Sequence, residues 1–287
     1  MAMAQGAPAL SAIREHYDSL AGLYLRHWGE HLHHGCFDRS RDPCAAQVRL
    51  VERLAERARL RRGSRVLDVG CGLGGSARWL AERLGCSVVG LTISPVQAAL
   101  ALRLTRERGL RHVLFAVADA ARLALRPGRF DAVWIIECSE HLADRAGFLA
   151  ACAALLRPGR PLALCAWMAT DDPGPRDVTL LAGIERAMLC PALGSQREYL
   201  AWLAAAGLRV RVCEDLSADV LPTWDHCEAA MGAPSMRAWL AFQPPAVRRF
   251  VASFGRMREA LAGGAMRYGL LVADRLDGSA SPVVTEA

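Results

Sequence analysis

The chain contains no lysine, so its positive charge rests on arginine, and the formal net charge is a modest +6. Arg61-Arg62 and Arg248-Arg249 are the only adjacent basic pairs, so no dense patch tracks a phosphate backbone and nucleic acid is excluded as a partner. Without lysine there is also no Tyr-x-x-x-Lys pair of the short-chain oxidoreductase type. The alanine-rich, all-arginine usage reflects a GC-rich, bacterial genome. Paired cysteines are missing too: ten cysteines are scattered singly with no C-x-x-C. A chain too large to need staples reads this way when its thiols are reduced, which points to the cytoplasm. No run of about 18 uncharged apolar residues exists, so no integral membrane segment is expected. Phe148 to Ala169 comes closest, and Arg157-Pro158-Gly159-Arg160-Pro161 breaks it. Met1 to Leu10 lacks the basic start and apolar stretch of a signal peptide. No internal repeat is present.

What is present is organised around Arg65 to Ser76. Arg65 to Val69 is a short branched apolar run, the pattern of a buried parallel strand. Glycines at 70, 72, 74 and 75 follow, and Ser76 to Leu84 has helical spacing. Strand, glycine turn and helix bring bare backbone up to a nucleotide ligand. A side chain at Gly70 or Gly72 would stand where that ligand passes. Such a turn alone also serves NAD(P) or no ligand at all. Its Asp68-x-Gly70-x-Gly72 spelling looks like motif I of class I S-adenosylmethionine (SAM) methyltransferases. The resemblance implies that Asp68 orients the turn and the ligand's ammonium.

Strands are expected at Ser87–Ile93, His112–Val117, Phe130–Ile136 and Pro161–Trp167, separated by helices. That alternation predicts a parallel sheet with right-handed crossovers and one crevice beyond its carboxyl ends. Gly70, Thr92, Asp119 and Glu137 all fall there. Further on, Asp171 to Pro175 breaks the pattern, and Ser195-x-x-Glu198 starts a helix as a capping box. Leu208–Cys213 reads as a sixth strand, Glu214 to about 263 as mainly helical, and Met266–Val272 as a last strand.

With these pieces placed, the chain resembles the γ-tocopherol methyltransferase-like family of class I enzymes from about Tyr17 to about Asp274. Trp28-Gly29-Glu30-His31 with His33-His34-Gly35, Gly90-Leu91-Thr92-Ile93-Ser94-Pro95-Val96-Gln97, and Glu137-x-Ser139-Glu140-His141 carry the resemblance. It implies an α/β, Rossmann-like sheet of seven strands, the last antiparallel, with a helical N-terminal segment and helical insertions over the acceptor pocket. S-adenosyl-L-methionine is the implied cofactor. Tyr17 and Trp28 would close over it with His33-His34-Gly35 nearby, and Gly70 and Gly72 would line its methionine end. Thr92 and Gln97 would lie by the ribose, Asp119 and Ala120 by the adenine, and Glu137 by the reacting methyl. Thr92 stands where most class I enzymes place an acid, a spelling usual in the tocopherol, sterol and cyclopropane-fatty-acid groups. The implied parts are a lid (1–45), a SAM-binding core (46–170), a C-terminal part with the acceptor insertion (171–274) and a loose tail (275–287).

Three candidates for acid–base work follow. A phenol acceptor, with a pKa of about 10, demands a base, and His141, His31 or Glu137 supplies one. An alkene acceptor would instead need Glu137 to stabilise a cation. Glu137 ends a buried strand and should point into the crevice. Glu140-His141 has two readings, helix cap and catalysis. His31, His33, His34 and Cys36 are metal-ligand types, yet a second distant pair is lacking, so no metal is expected. Trp202, Trp224, Met231, Trp239, Phe242, Phe250 and Phe254 offer apolar lining, and Trp79, Trp134 and Trp167 are expected in the core. The sum is a SAM-dependent methyltransferase for a small, largely apolar acceptor, in quinone–tocopherol or bacterial secondary-metabolite chemistry. Rivals are C-methylation of an isoprenoid chain or prenyl diphosphate, a SAM-binding regulator without catalysis, and an oxidoreductase. Monomer and homodimer are both compatible with the sequence.

Overall fold

The computed structural model describes residues 8–276. Seven strands form one sheet: β1 (Arg65–Val69), β2 (Ser87–Thr92), β3 (Val113–Val117), β4 (Ala132–Ile136), β5 (Pro161–Ala169), β6 (Leu208–Asp215) and β7 (Met266–Arg275). Their order is β3-β2-β1-β4-β5-β7-β6. The first five run parallel, and β7 pairs antiparallel with both β5 and β6. This is the seven-stranded architecture expected from the sequence. The order reverses between β1 and β4, where Gly70 and Glu137 leave the sheet, so the ligand crevice belongs there.

Helices α1 (Leu10–His27) and α2 (Pro43–Ala58) precede the sheet, and α3 (Gly75–Leu84), α4 (Pro95–Glu107) and α5 (Arg145–Leu155) make the crossovers. Their starts follow local chemistry. Asp42, Ser94 and Asp144 each accept a backbone N–H from their own first turn, and Pro43 and Pro95 occupy first positions. All five β4 residues are buried, because helices cover both faces of the central strands. One core cluster packs Leu50 and Leu54 of α2 against Trp134, and the other packs Phe148 and Leu149 of α5 against Val133 and Ile135.

The C-terminal part holds more regular structure than its sequence suggested. Helix α6 (Pro175–Ala187) follows the breaker cluster, and α7 (Gln196–Ala205) starts from the Ser195–Glu198 capping box. Then come α8 (Ser217–Val220), α9 (Pro222–Gly232), α10 (Pro234–Ala241), α11 (Pro245–Ala252) and α12 (Phe254–Gly263). Strands β6 and β7 of this part lie in the same sheet as β1 to β5. Of the expected tail, Arg275 still belongs to β7, and residues after 276 lie outside the described ones.

Candidate active site

The β1–α3 turn is left-handed three times over, with φ +78° at Gly70, +53° at Gly72 and +76° at Gly74. Only glycine takes such values without strain. A Cβ at Gly70 would meet Cys138 Sγ at 2.5 Å, and one at Gly72 would lie 3.4 Å from Leu32. The first glycine therefore lets the loop after β4 close against the turn. A neighbouring loop, as well as a passing ligand, demands it.

The crevice that results holds about 980 Å³ of space, part of it open to solvent. Tyr17, His31, His33, Asp68, Gly70, Gly72, Thr92, Gln97, Asp119, Ala120, Glu137 and His141 line it. Four polar atoms of its lining residues, His31 Nδ1, His33 Nε2, Asp68 Oδ2 and Gln97 Nε2, are buried with no partner among the described residues. Burial pushes the Asp68 carboxyl up to about 7. Thr92 donates to Gln97 Oε1 at 2.8 Å, which leaves the amide N–H₂ free. Asp119 spends one oxygen on the Ala121 N–H at 2.9 Å. A buried acid lacking a cation and a buried amide lacking an acceptor fit an amino-acid ammonium and a ribose hydroxyl.

The segment between α1 and α2 covers this crevice and is tied down by pairs the sequence did not announce. Arg78, fully buried in α3, binds Glu30 at 2.8 Å and the Leu73 carbonyl at 2.7 Å. Arg108 holds the other Glu30 oxygen at 2.7 Å. Gln47 donates to the His31 carbonyl at 2.7 Å, and Ser94 of the α4 cap donates to Asp18 of α1. Only the Trp-Gly-Glu-His spelling pointed towards Glu30.

A second cavity of about 660 Å³ adjoins the first. Its walls are His16, Tyr24, Trp28, His34, Glu140, Trp167, Met188, Trp224, Phe250 and Phe254. Tyr17, Leu32, Glu137 and His141 line both cavities and so mark their junction. Of the residues expected at the cofactor, Trp28 and His34 stand on this second cavity. Gly35 lines neither, its N–H donating to Thr223 Oγ1 at 3.1 Å. Trp167, expected in the core, is wall instead. Of the expected apolar lining, Trp224, Phe250 and Phe254 arrive, whereas Trp202 packs on Tyr199 and Phe242 is 89% exposed.

At the junction Glu137 adopts φ +51°, a left-handed backbone unusual outside glycine. Its Oε1 accepts from the His34 N–H at 2.8 Å, His34 Nδ1 at 3.0 Å and Tyr268 Oη at 2.7 Å. Burial alone would raise its pKa, but the His34 contacts outweigh this and hold the carboxyl below its ordinary value. His141 faces the Leu189 carbonyl through Nδ1 at 3.0 Å, so Nδ1 carries the proton. The bare Nε2 then accepts from Tyr17 Oη at 2.9 Å. Burial lowers the His141 pKa and raises that of Tyr17, keeping the imidazole neutral and the phenol protonated.

Glu140 takes the Trp167 N–H at 2.7 Å, and burial followed by the Glu137 charge pushes it up to about 8. It is a neutral acid at pH 7. Asp144, not Glu140 or His141, caps α5 through the Gly147 N–H at 2.8 Å. The capping reading of the Glu140-His141 pair is thereby removed. Buried Arg145 pins this turn by donating to the carbonyls of Ser139, Glu140 and Ala192. His31 lines the first crevice alone, with its ring against His33, and does not reach the junction. Among the described residues no cluster of three or more His, Cys, Asp or Glu is arranged to hold a metal.

A seven-stranded sheet with one antiparallel strand, a glycine turn over an unpaired acid, and a lidded crevice define a class I SAM-dependent methyltransferase. Comparison with known proteins agrees. The methyltransferase domain family matches residues 67–164. Chloroplastic tocopherol O-methyltransferase of Arabidopsis thaliana is 32% identical over 78% of this chain and 71% of its own length. The 27-O-demethylrifamycin SV methyltransferase of Amycolatopsis mediterranei is 34% identical over 94% of this chain and 99% of its own. The crystal structure of the [4+2]-cyclase SpnF superimposes with TM-score 0.82 at 26% identity, covering 96% of this chain and 98% of that one. The chain belongs to the tocopherol O-methyltransferase-like family, and its cofactor is SAM.

Proposed function

We propose that the protein methylates a phenolic hydroxyl on a small, largely apolar acceptor of the tocopherol, hydroquinone or aromatic secondary-metabolite type. The observation that carries this reading is the neutral His141, whose Nε2 meets Tyr17 where the two cavities join. The bound cofactor supplies an electrophilic methyl group on a positively charged sulfur. Asp68 and the Gln97 amide hold its amino-acid and ribose portions. The ionised Glu137, at the junction of the two cavities, would orient that positive end. The acceptor's hydroxyl proton leaves through the Tyr17 hydroxyl, which would pass its own proton to His141 Nε2 and take the acceptor's, while Nδ1 stays on the Leu189 carbonyl. Trp28, Trp167, Trp224, Phe250 and Phe254 exclude water from the transfer and align the acceptor.

A prenyl diphosphate is the weaker alternative, because among the described residues no arginine lines the second cavity, and Glu137 does line it. The free thiols of all ten cysteines suit a reducing compartment, and we place the enzyme in the cytoplasm. Among the described residues no helix is long and apolar enough to cross a membrane. The reading is tested by incubating the protein with SAM and a panel of phenols, quinols and prenyl diphosphates. Demethylated cofactor and an O-methyl product should form together from phenols. Cofactor binding with no turnover of any acceptor would favour a regulator.

A further inference from the structure

Helix α10 has no buried residue, although it carries Met236, Trp239 and Leu240 and is followed directly by Phe242, 89% exposed. Met236, Trp239 and Leu240 are only half-buried and sit beside the exposed Phe242, which leaves apolar surface within reach of a partner. Its charge says which one. Between Glu228 and Glu259 the sequence has no acid, yet it holds Arg237, Arg248, Arg249, Arg256 and Arg258. Arg258 pairs with Asp225, whereas exposed Arg237, Arg248 and Arg249 have no ion-pair partner among the described residues. A second copy of the same face would bring arginine against arginine in an isologous contact. Apolar rings flanked by unpaired arginines instead match the headgroup region of an anionic bilayer.

We infer that α10, the Phe242 turn and the outer face of α11 dock on an anionic lipid surface. The same α11 that shows Arg248 and Arg249 to solvent sends Phe250 into the acceptor cavity. Docking therefore sets that cavity beside the phase in which an apolar acceptor dissolves. This purpose rests on the acceptor reading above; the docking itself does not.

Co-sedimentation of the full chain with phosphatidylcholine vesicles, with and without about 30% phosphatidylglycerol, tests it. The chain should pellet with the anionic vesicles at low salt and be released as salt rises. Each arginine near such a surface strengthens binding about fivefold, so the Arg237→Glu/Arg248→Glu/Arg249→Glu variant should lose about a hundredfold or more. Phe242→Ser should lose several-fold while keeping thermal stabilisation by SAM and transfer to a water-soluble phenol. No pelleting at low salt would overturn the inference. So would unchanged binding of Phe242→Ser, the mark of a generic polyanion site, or a vesicle-free dimer that Phe242→Ser dissolves. Vesicle binding by a protein that methylates no phenol would leave the docking intact and remove the acceptor reading alone.

Discussion

The two cavities are built in different ways. The cofactor crevice is made where strands end: β1 supplies Asp68 and the glycine turn, β2 Thr92, β3 the Asp119 loop and β4 Glu137. Each residue there is fixed by its distance along the chain from a buried strand. The second cavity is made where helices meet, with Tyr17 and Tyr24 from α1, Trp224 from α9, Phe250 from α11 and Phe254 from α12. Backbone geometry determines the first, side-chain size the second. Substitutions should therefore separate the two, and only the junction should affect both.

The largest effect belongs to that junction. His141→Ala should lower kcat by about 10² to 10⁴, the usual worth of a positioned base. SAM affinity measured by calorimetry should stay within a few-fold of the parent. A matching loss of SAM binding would show that His141 holds the lid rather than takes the proton. Next comes Asp68→Asn, aimed at the crevice alone. With the buried carboxylate gone, SAM affinity should fall about tenfold to a hundredfold, the worth of a charge-assisted hydrogen bond. The acceptor's KM at saturating SAM should hold. Smaller still is Trp224→Leu, which enlarges the second cavity and should raise the acceptor's KM about tenfold without touching SAM affinity. An unchanged acceptor KM would place the acceptor elsewhere.

The same contrast explains what was legible in the sequence. Strand, glycine turn and helix announce themselves through period and composition, so the sheet and most of the crevice could be read from Asp68, Thr92, Asp119 and Glu137. Contacts between distant elements have no such signal. Nothing in the spelling of α3 marks Arg78 as the buried partner of Glu30. Tyr268, known only as part of a closing strand, turns out to fix Glu137 from β7. Aromatic type alone misled in both directions: Trp167 ends on a strand and faces the cavity, whereas Phe242 faces solvent. The resemblance placed His33, His34 and Gly35 near the cofactor as one run. The chain bends at His33, and the structure puts His33 on the first cavity and His34 on the second.

The pH profile can sharpen the comparison further, because the groups that titrate sit on different sides. His141 works only as the neutral imidazole, and burial lowers its pKa below the usual 6.5. Activity should therefore persist through neutrality and fall only as the pH drops below 6.5, when Nε2 takes up a proton from solvent. Glu140 has the opposite sign. Its pKa is pushed up to about 8, so it is neutral at pH 7 and becomes a second carboxylate beside Glu137 above that value. A new negative charge in an aromatic cavity should weaken the apolar acceptor, raising its KM through pH 8 when measured at saturating SAM. Glu140→Gln keeps an oxygen for the Trp167 N–H and cannot ionise, so it should erase the alkaline limb and leave the acid one. Should both limbs survive in Glu140→Gln, the alkaline group belongs to the acceptor's own hydroxyl or to the crevice, and the division of labour between the cavities would have to be redrawn.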